Sequence, residues 1–156
     1  MKKKKVKVNT GDVFTIKLDH NLYSYGQVVG EGTFCDCIVI YDLISREHPP
    51  VNTIISNSVI LLIQTVNSRL ENGLWKIIGN GEIPELNLPI YKVETEEGYM
   101  LANYKGEIID DSPDQDQVKD FKELESWSPV SLENAVRAKF ITGEWDDYYN
   151  DLIYIG

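Results

Sequence analysis

Residues 12 to 41 read DVFTIKLDHNLYSYGQVVGEGTFCDCIVIY, and the fold class turns on this stretch. Phe14, Ile16 and Leu18 alternate with Val13, Thr15 and Lys17, the period of two that sends successive side chains to opposite faces of a strand. Asp19-His20-Asn21 supplies turn residues, Tyr23, Tyr25 and Val28 continue in a second strand, and Gly30-Glu31-Gly32 turns the chain into a third, FCDCIVIYD. Connections this short join antiparallel neighbours, because a parallel pair needs a crossover of about a dozen residues or more. The stretch predicts a three-stranded antiparallel meander.

Working outward, Pro49-Pro50 break the pattern, Val51 to Ser56 fits a short helical turn, and Val59 to Val66 is an apolar strand. Asn67 to Asn72 fits another short helix closed by Gly73. GLWKIIG, Gly73 to Gly79, then reads as a strand with Trp75 and Ile77 on one face and Lys76 and Ile78 on the other. After a loop bearing Pro84 and Pro89 comes a second meander: IYKVE, a turn at Glu96-Glu97-Gly98, YMLANY, a turn at Lys105-Gly106, and EIID. Asp110 to Gln117, DDSPDQDQ, is poor in apolar residues and reads as an exposed loop.

The end of the chain has helical spacing. Ser131 is placed to cap a helix with Leu132, Ala135, Val136 and Phe140 on one face and Gly143 as its stop. Trp145, Tyr148, Tyr149, Leu152 and Ile153 then recur as the apolar face of a second helix. The expected fold is α+β, mainly β: antiparallel meanders forming a bent sheet or partial barrel, with C-terminal helices. One domain spans 1–156, with a basic segment at 1–10, an acidic loop at 110–117 and a helical end at 131–154.

A chain of 156 residues is long enough for a real core, since a domain of this size buries about 70% of its unfolded surface. Cys35 and Cys37 are too few for a zinc site and too close for a comfortable disulfide within a strand, which points to a reducing compartment. The lysines at the start are not followed by the apolar run of about 7 to 15 residues that an export signal requires. The longest apolar run, Val59 to Ile63, is far below the roughly 20 residues of a membrane helix. The expectation is a cytoplasmic protein without a membrane segment.

The net charge of −10 is unevenly placed. Residues 1 to 81 carry nine Lys/Arg against seven Asp/Glu, whereas residues 82 to 156 carry six against eighteen, giving +2 and −12. An acid field of this kind repels nucleic acid and acidic membranes and speeds encounter with a basic partner. The tetralysine Lys2 to Lys5 solvates the terminus or blunts an edge strand.

Chemistry finds no foothold in this pattern. His20 and His48 fall in turn or loop positions, where solvation is the simpler reading than a nucleophile–base pair. Carboxylate pairs carry no signal in a chain with twenty-five acids. A calcium loop begun at Asp114 puts Val118 at position 5 and Lys119 where glycine is needed, and GEG before Thr33 lacks the lysine and helix start of a phosphate loop. No catalytic residue, metal ligand or cofactor is assigned.

Four segments in order, GDVFTI (Gly11 to Ile16), YSYGQV (Tyr23 to Val28), NTIISNSVILLI (Asn52 to Ile63) and GLWKIIGN (Gly73 to Asn80), resemble the Immunity protein 26 family of bacterial polymorphic toxin systems. The resemblance covers roughly residues 9 to 91, and Lys76 stands where the family pattern often carries proline. It places Gly11, Asp12, Phe14, Ile16, Tyr25, Gly26, Gly73, Trp75, Ile78 and Gly79 in a structural motif, with Trp75 as a core anchor. It implies a protein that binds and neutralises a cognate toxin by non-covalent occlusion, without catalysis or cofactor. A basic nuclease-like domain is the partner that the acid field fits. The candidate contacts are Asp110, Asp111, Asp114 and Asp116 on the acidic loop and Glu144, Asp147 and Asp151 on the last helix. The alternative reading is a small β-barrel module that binds a cellular protein or small ligand.

Overall fold

The computed structural model describes residues 4–32 and 35–156. Lys2 and Lys3 of the basic segment, and Thr33 and Phe34 of the second connection, lie outside the described residues. Strands β1 (Asp12–Asp19), β2 (Leu22–Glu31) and β3 (Asp36–Ser45) form the expected meander. Strand β4 (Val59–Thr65) adds to β3, and β5 (Lys76–Asn80) returns to β1, giving the antiparallel order β4-β3-β2-β1-β5. Asn21 takes the first turn with φ +66°, a left-handed conformation that its short polar side chain tolerates. The second turn departs from expectation. Gly30 and Glu31 stay in β2, paired with Cys37 and Asp36 beyond a bulge at Val28/Gly30.

Strands β6 (Tyr91–Thr95), β7 (Gly98–Ala102) and β8 (Ile108–Asp110) form a second antiparallel sheet, with Glu96-Glu97 as the two-residue turn between β6 and β7. Both sheets are open, so the partial barrel is not formed. The outer edge of β6 is taken by the chain beyond it: Lys92 N–H donates to Lys122 O at 2.9 Å and Leu124 N–H to Lys92 O at 3.1 Å.

The larger sheet is covered on both faces, which explains why β1 to β3 are buried almost throughout. Phe14, Ile16 and Leu18 meet Leu132, Ala135 and Val136 of the C-terminal helix α4 (Pro129–Arg137) in one cluster. Val13, Tyr25, Val39 and Tyr41 meet Ile54 of the short helix α1 (Val51–Ile55) in the other. Gln27, fully buried, ties the two chain ends of this sheet together. Its Nε2 donates to Gly11 O and Gly81 O, both at 3.1 Å, while its Oε1 accepts from the Tyr41 hydroxyl.

Trp75 is the core anchor that its motif implied, 2% exposed and stacked on Phe14 with ring centroids 5.5 Å apart and planes 10° from parallel. Phe14 in turn lies against Gly26, where a Cβ would stand 2.5 Å from Phe14 Cζ and 2.7 Å from Val39 O. The polar edge of the indole is served as well: Nε1 donates to Glu133 Oε1 at 3.0 Å, and Arg69 Nε stands 3.5 Å from the same oxygen. Helix α2 (Ser68–Glu71) leads into this strand, and Gly73 turns the chain with φ +79°. Trp75 and Ile77 face one cluster and Ile78 the other, as the alternation predicts.

The C-terminal third corrects several expectations. Ser128, and not Ser131, caps α4: Ser128 Oγ accepts from Ser131 N–H at 3.1 Å, and Pro129 takes the first helical position where its missing N–H costs nothing. After α4 a π turn (Ala138–Thr142) ends at Gly143, φ +70°. The last helix is a 3-10 helix (Asp147–Leu152), begun by Asp146 Oδ1 accepting from Tyr148 N–H at 2.9 Å. Its period of three aligns Tyr149 with Leu152 and turns Tyr148 outward, so the predicted apolar face holds for Trp145, Tyr149 and Leu152 and fails for Tyr148 and Ile153. The 110–117 segment is not wholly loop either. Asp110 ends β8, and Asp114 caps a helical turn, α3 (Gln115–Val118), anchored by buried Val118.

Replacing Trp75 by Ala should lower unfolding free energy by about 3–5 kcal/mol in chemical denaturation, and Glu133→Ala, which strands the indole N–H and Arg69, by about 1–3 kcal/mol. Burial pushes the hydroxyls of Tyr41 and Tyr91 up to about 12 from their ordinary 10. A raised folded-state value for an acid means that this stability is intact below pH 10 and is lost as pH climbs through about 12. In an alkaline titration these two of the nine tyrosines should ionise late, as should Tyr25, which burial also raises, together with loss of near-ultraviolet circular dichroism. Ionisation of all nine near pH 10 with the fold intact would contradict the burial argument.

Candidate partner-binding surface

All seven acids singled out in the sequence are solvent-exposed, and the fold sorts them into two groups. The first lies at the end of β8 and around α3. Asp110 Oδ1 accepts from Ser112 N–H at 3.0 Å, Asp111 follows it, and Asp114 Oδ1 accepts from the N–H groups of Asp116 and Gln117 at 2.9 and 3.3 Å. Gln115 pins the turn to β7 through Tyr99, accepting from its N–H at 3.0 Å and donating to its carbonyl at 3.1 Å. The second group, Glu144, Asp147 and Asp151, lies on the C-terminal segment that packs over β4.

Lysines stand on the inner border of each group. Lys119 Nζ is 3.5 Å from Asp116 Oδ1, both largely exposed, and such a pair is worth little in stability. Lys122 Nζ donates to Asp151 O at 3.2 Å. The single segment Lys119–Lys122 therefore touches both acid groups, one lysine beside Asp116 and the other on the Asp151 carbonyl.

Aromatic rings accompany the second group. Trp127 lies against Tyr148 at 4.8 Å between centroids, Tyr148 against Tyr149 at 5.9 Å, and Tyr149 against Trp145 at 5.3 Å. Trp145 Nε1 donates to Asn150 Oδ1 at 2.8 Å, which fixes the outer ring. Tyr148 is 64% exposed. An exposed tyrosine held by neighbouring rings offers contact area at small entropic cost, and carboxylates flank it. Sequence reading missed Trp127, because its role depends on a bridge from Thr65 to Trp127 across sixty residues of chain.

Beside this patch a cleft of about 260 Å³ opens at the outer edge of β4, between Gln64, Tyr91, Phe121 and Trp127. Gln64 and Tyr91 carried no sequence signal, since polar residues in strands are ordinarily read as solvent-facing. Both are buried here.

The remaining candidates are structural. His20 is exposed in the first turn beside Asp19. His48 is exposed, as expected, and has its Nδ1 2.9 Å from the Tyr25 hydroxyl and its ring edge-on to Tyr23, so it clasps the loop after β3 to the sheet. Cys35 Sγ donates to Ser126 Oγ, and burial pushes the Cys37 thiol up to about 12, which keeps it protonated and unreactive. Asp12 of the motif accepts from Asn9 N–H at 2.7 Å and Asn80 Nδ2 at 3.1 Å, fastening the strand entry. Lys76 opens β5 and is exposed. No helix among the described residues is long and apolar enough to cross a membrane.

Asp12, Phe14, Gly26 and Trp75 all take part in contacts of the larger sheet and its core. Residues 9–104, more than half of the chain, match the model of the Immunity protein 26 family, a span that runs past the expected limit near residue 91 to include β6 and β7. No curated protein and no solved structure matches the chain. With its sheet, its Trp75 anchor and its Gly26 seat all inside the matched span, the chain belongs to the Immunity protein 26 family.

Proposed function

We propose that this immunity protein binds one cognate toxin and neutralises it by covering the toxin's functional surface, with no bond made or broken. Membership of the Immunity protein 26 family carries the reading. The acid-bearing C-terminal patch is the favoured contact, because it combines Glu144, Asp147 and Asp151 with the exposed ring of Tyr148, and tyrosine and tryptophan are enriched among residues that dominate binding energy. The Asp110–Asp116 group extends the negative field and steers the partner. A toxin domain that attacks nucleic acid presents a basic substrate site, and an acidic inhibitor fits over it in the cytoplasm of the producing cell.

Complementary charge acts chiefly on association, raising the rate above the neutral range of about 10⁵ to 10⁶ M⁻¹s⁻¹, while aromatic packing slows release. Association with the cognate toxin domain should slow by about tenfold or more between low and physiological salt. The triple variant Glu144→Gln/Asp147→Asn/Asp151→Asn should lose a similar factor at low salt with its melting temperature unchanged, and Tyr148→Ala should mainly speed dissociation. Stopped-flow binding checks each of these. An acidic toxin domain, or an on-rate indifferent to salt, sinks the charge-steered reading.

A further inference from the structure

Tyr148, 64% exposed, is the one exposed aromatic residue among the described residues. Trp127, Trp145 and Tyr149 pack on the core cluster around Phe14, and Tyr148 does not. Its ring is nonetheless held between Trp127 and Tyr149, at interplanar angles of 53° and 61° that leave it stacked flat on neither. A ring kept in place and kept out of the core is free to offer a face to another molecule.

The 3-10 helix decides what stands beside that face. Side chains three apart eclipse in such a helix, so Asp151 shares the side of Tyr148, while Tyr149 and Leu152 share the side turned to the core. Asp151 and Trp127 also border the cleft of about 260 Å³, together with Glu123 and Glu125. None of these three carboxylates is in an ion pair among the described residues. The two lysines of the cleft are engaged on backbone oxygens: Lys122 Nζ on the Asp151 carbonyl, and Lys92 Nζ on the Lys119 carbonyl at 3.2 Å, over the Tyr99 ring.

These groups select the sign and the shape of a guest. The carboxylates repel an anion, and an apolar group would take them out of water without a partner. A cation meets both groups favourably, since the negative face of an aromatic ring attracts it as the acids do. Of the two strongly cationic side chains, arginine is the flat one, able to stack on a ring while its N–H fork pairs with a carboxylate.

We propose that Tyr148 and Asp151 form a seat for one arginine side chain of the toxin, its guanidinium lying on the Tyr148 ring and pairing with the Asp151 carboxylate at the margin of the cleft. The inference rests on the inhibitor reading and narrows it from a basic surface to one inserted group.

The test measures affinity of the full chain for the cognate toxin domain. Tyr148→Phe keeps the ring and should bind within about twofold of wild type, whereas Tyr148→Leu, which keeps apolar bulk without the ring, should bind about fivefold or more weakly. Asp151→Asn, which leaves the main-chain oxygen that Lys122 uses, should cost about tenfold. The double variant Tyr148→Leu/Asp151→Asn should lose clearly less than the product of the two single losses, because both act on one guest. Losses that simply multiply would mean two separate contacts and overturn the seat, as would full affinity in Tyr148→Leu. N-ethylguanidinium should shift the Tyr148 ring resonances of the free protein at a lower concentration than n-butylammonium, which carries the same charge. Equal responses would leave only a diffuse acid field, and the arginine assignment falls. A toxin domain that does not bind, beside a saturable N-ethylguanidinium response, sinks the inhibitor reading; a toxin domain that binds wild type and Tyr148→Leu alike sinks the seat and leaves that reading standing.

Discussion

The Phe14 ring is stacked on the Trp75 indole and meets Gly26 at its tip, and the larger sheet is arranged around that contact. Gly26 leaves room at Phe14 Cζ, and Trp75 covers the ring face. Trp75 brings α4 with it, because the indole N–H must find an acceptor on leaving water and Glu133 provides one. One aromatic stack thus fixes the spacing of β1 and β2, the return of β5 and the placement of the helix that covers this face. The motif residues fall in three of the four resembling segments, and this contact draws one residue from each of the three: Phe14, Gly26 and Trp75.

Most of the fold was legible because its signals are local. The alternation in β1, the two-residue turn at Glu96-Glu97 and the Gly73 stop each depend on a few adjacent residues, and each stands where the sequence put it. The failures have the same root. Ser128 and Ser131 both satisfy a capping rule, and Pro129 decides between them by fitting only the first turn. Spacings of three and four cannot separate an α-helix from a 3-10 helix over six residues, so Tyr148 was assigned to a face that a period of three moves into solvent.

The functional surface was less legible than the scaffold. Counting acids located the negative half of the chain, but not the two lysines set against it, since Lys119 and Lys122 acquire those contacts only from where the segment runs. Trp127 and Gln64 were invisible for a stronger reason. What matters about each is a neighbour brought from far along the chain, Thr65 for Trp127 and Tyr91 for Gln64.

The stretch from Lys122 to Trp127 serves two sheets at once, lying along β6 at Glu123 and along β4 at Trp127. A single strip of chain thus bridges to β6 at Lys92 and to the end of β4 at Thr65. At the far side of the smaller sheet, β8 is three residues long and sits among Glu107, Asp110 and Asp111. A second copy approaching that margin would bring like charges together along a very short ladder, an arrangement that discourages polymerisation. A margin trimmed in this way is a poor template for edge-to-edge pairing.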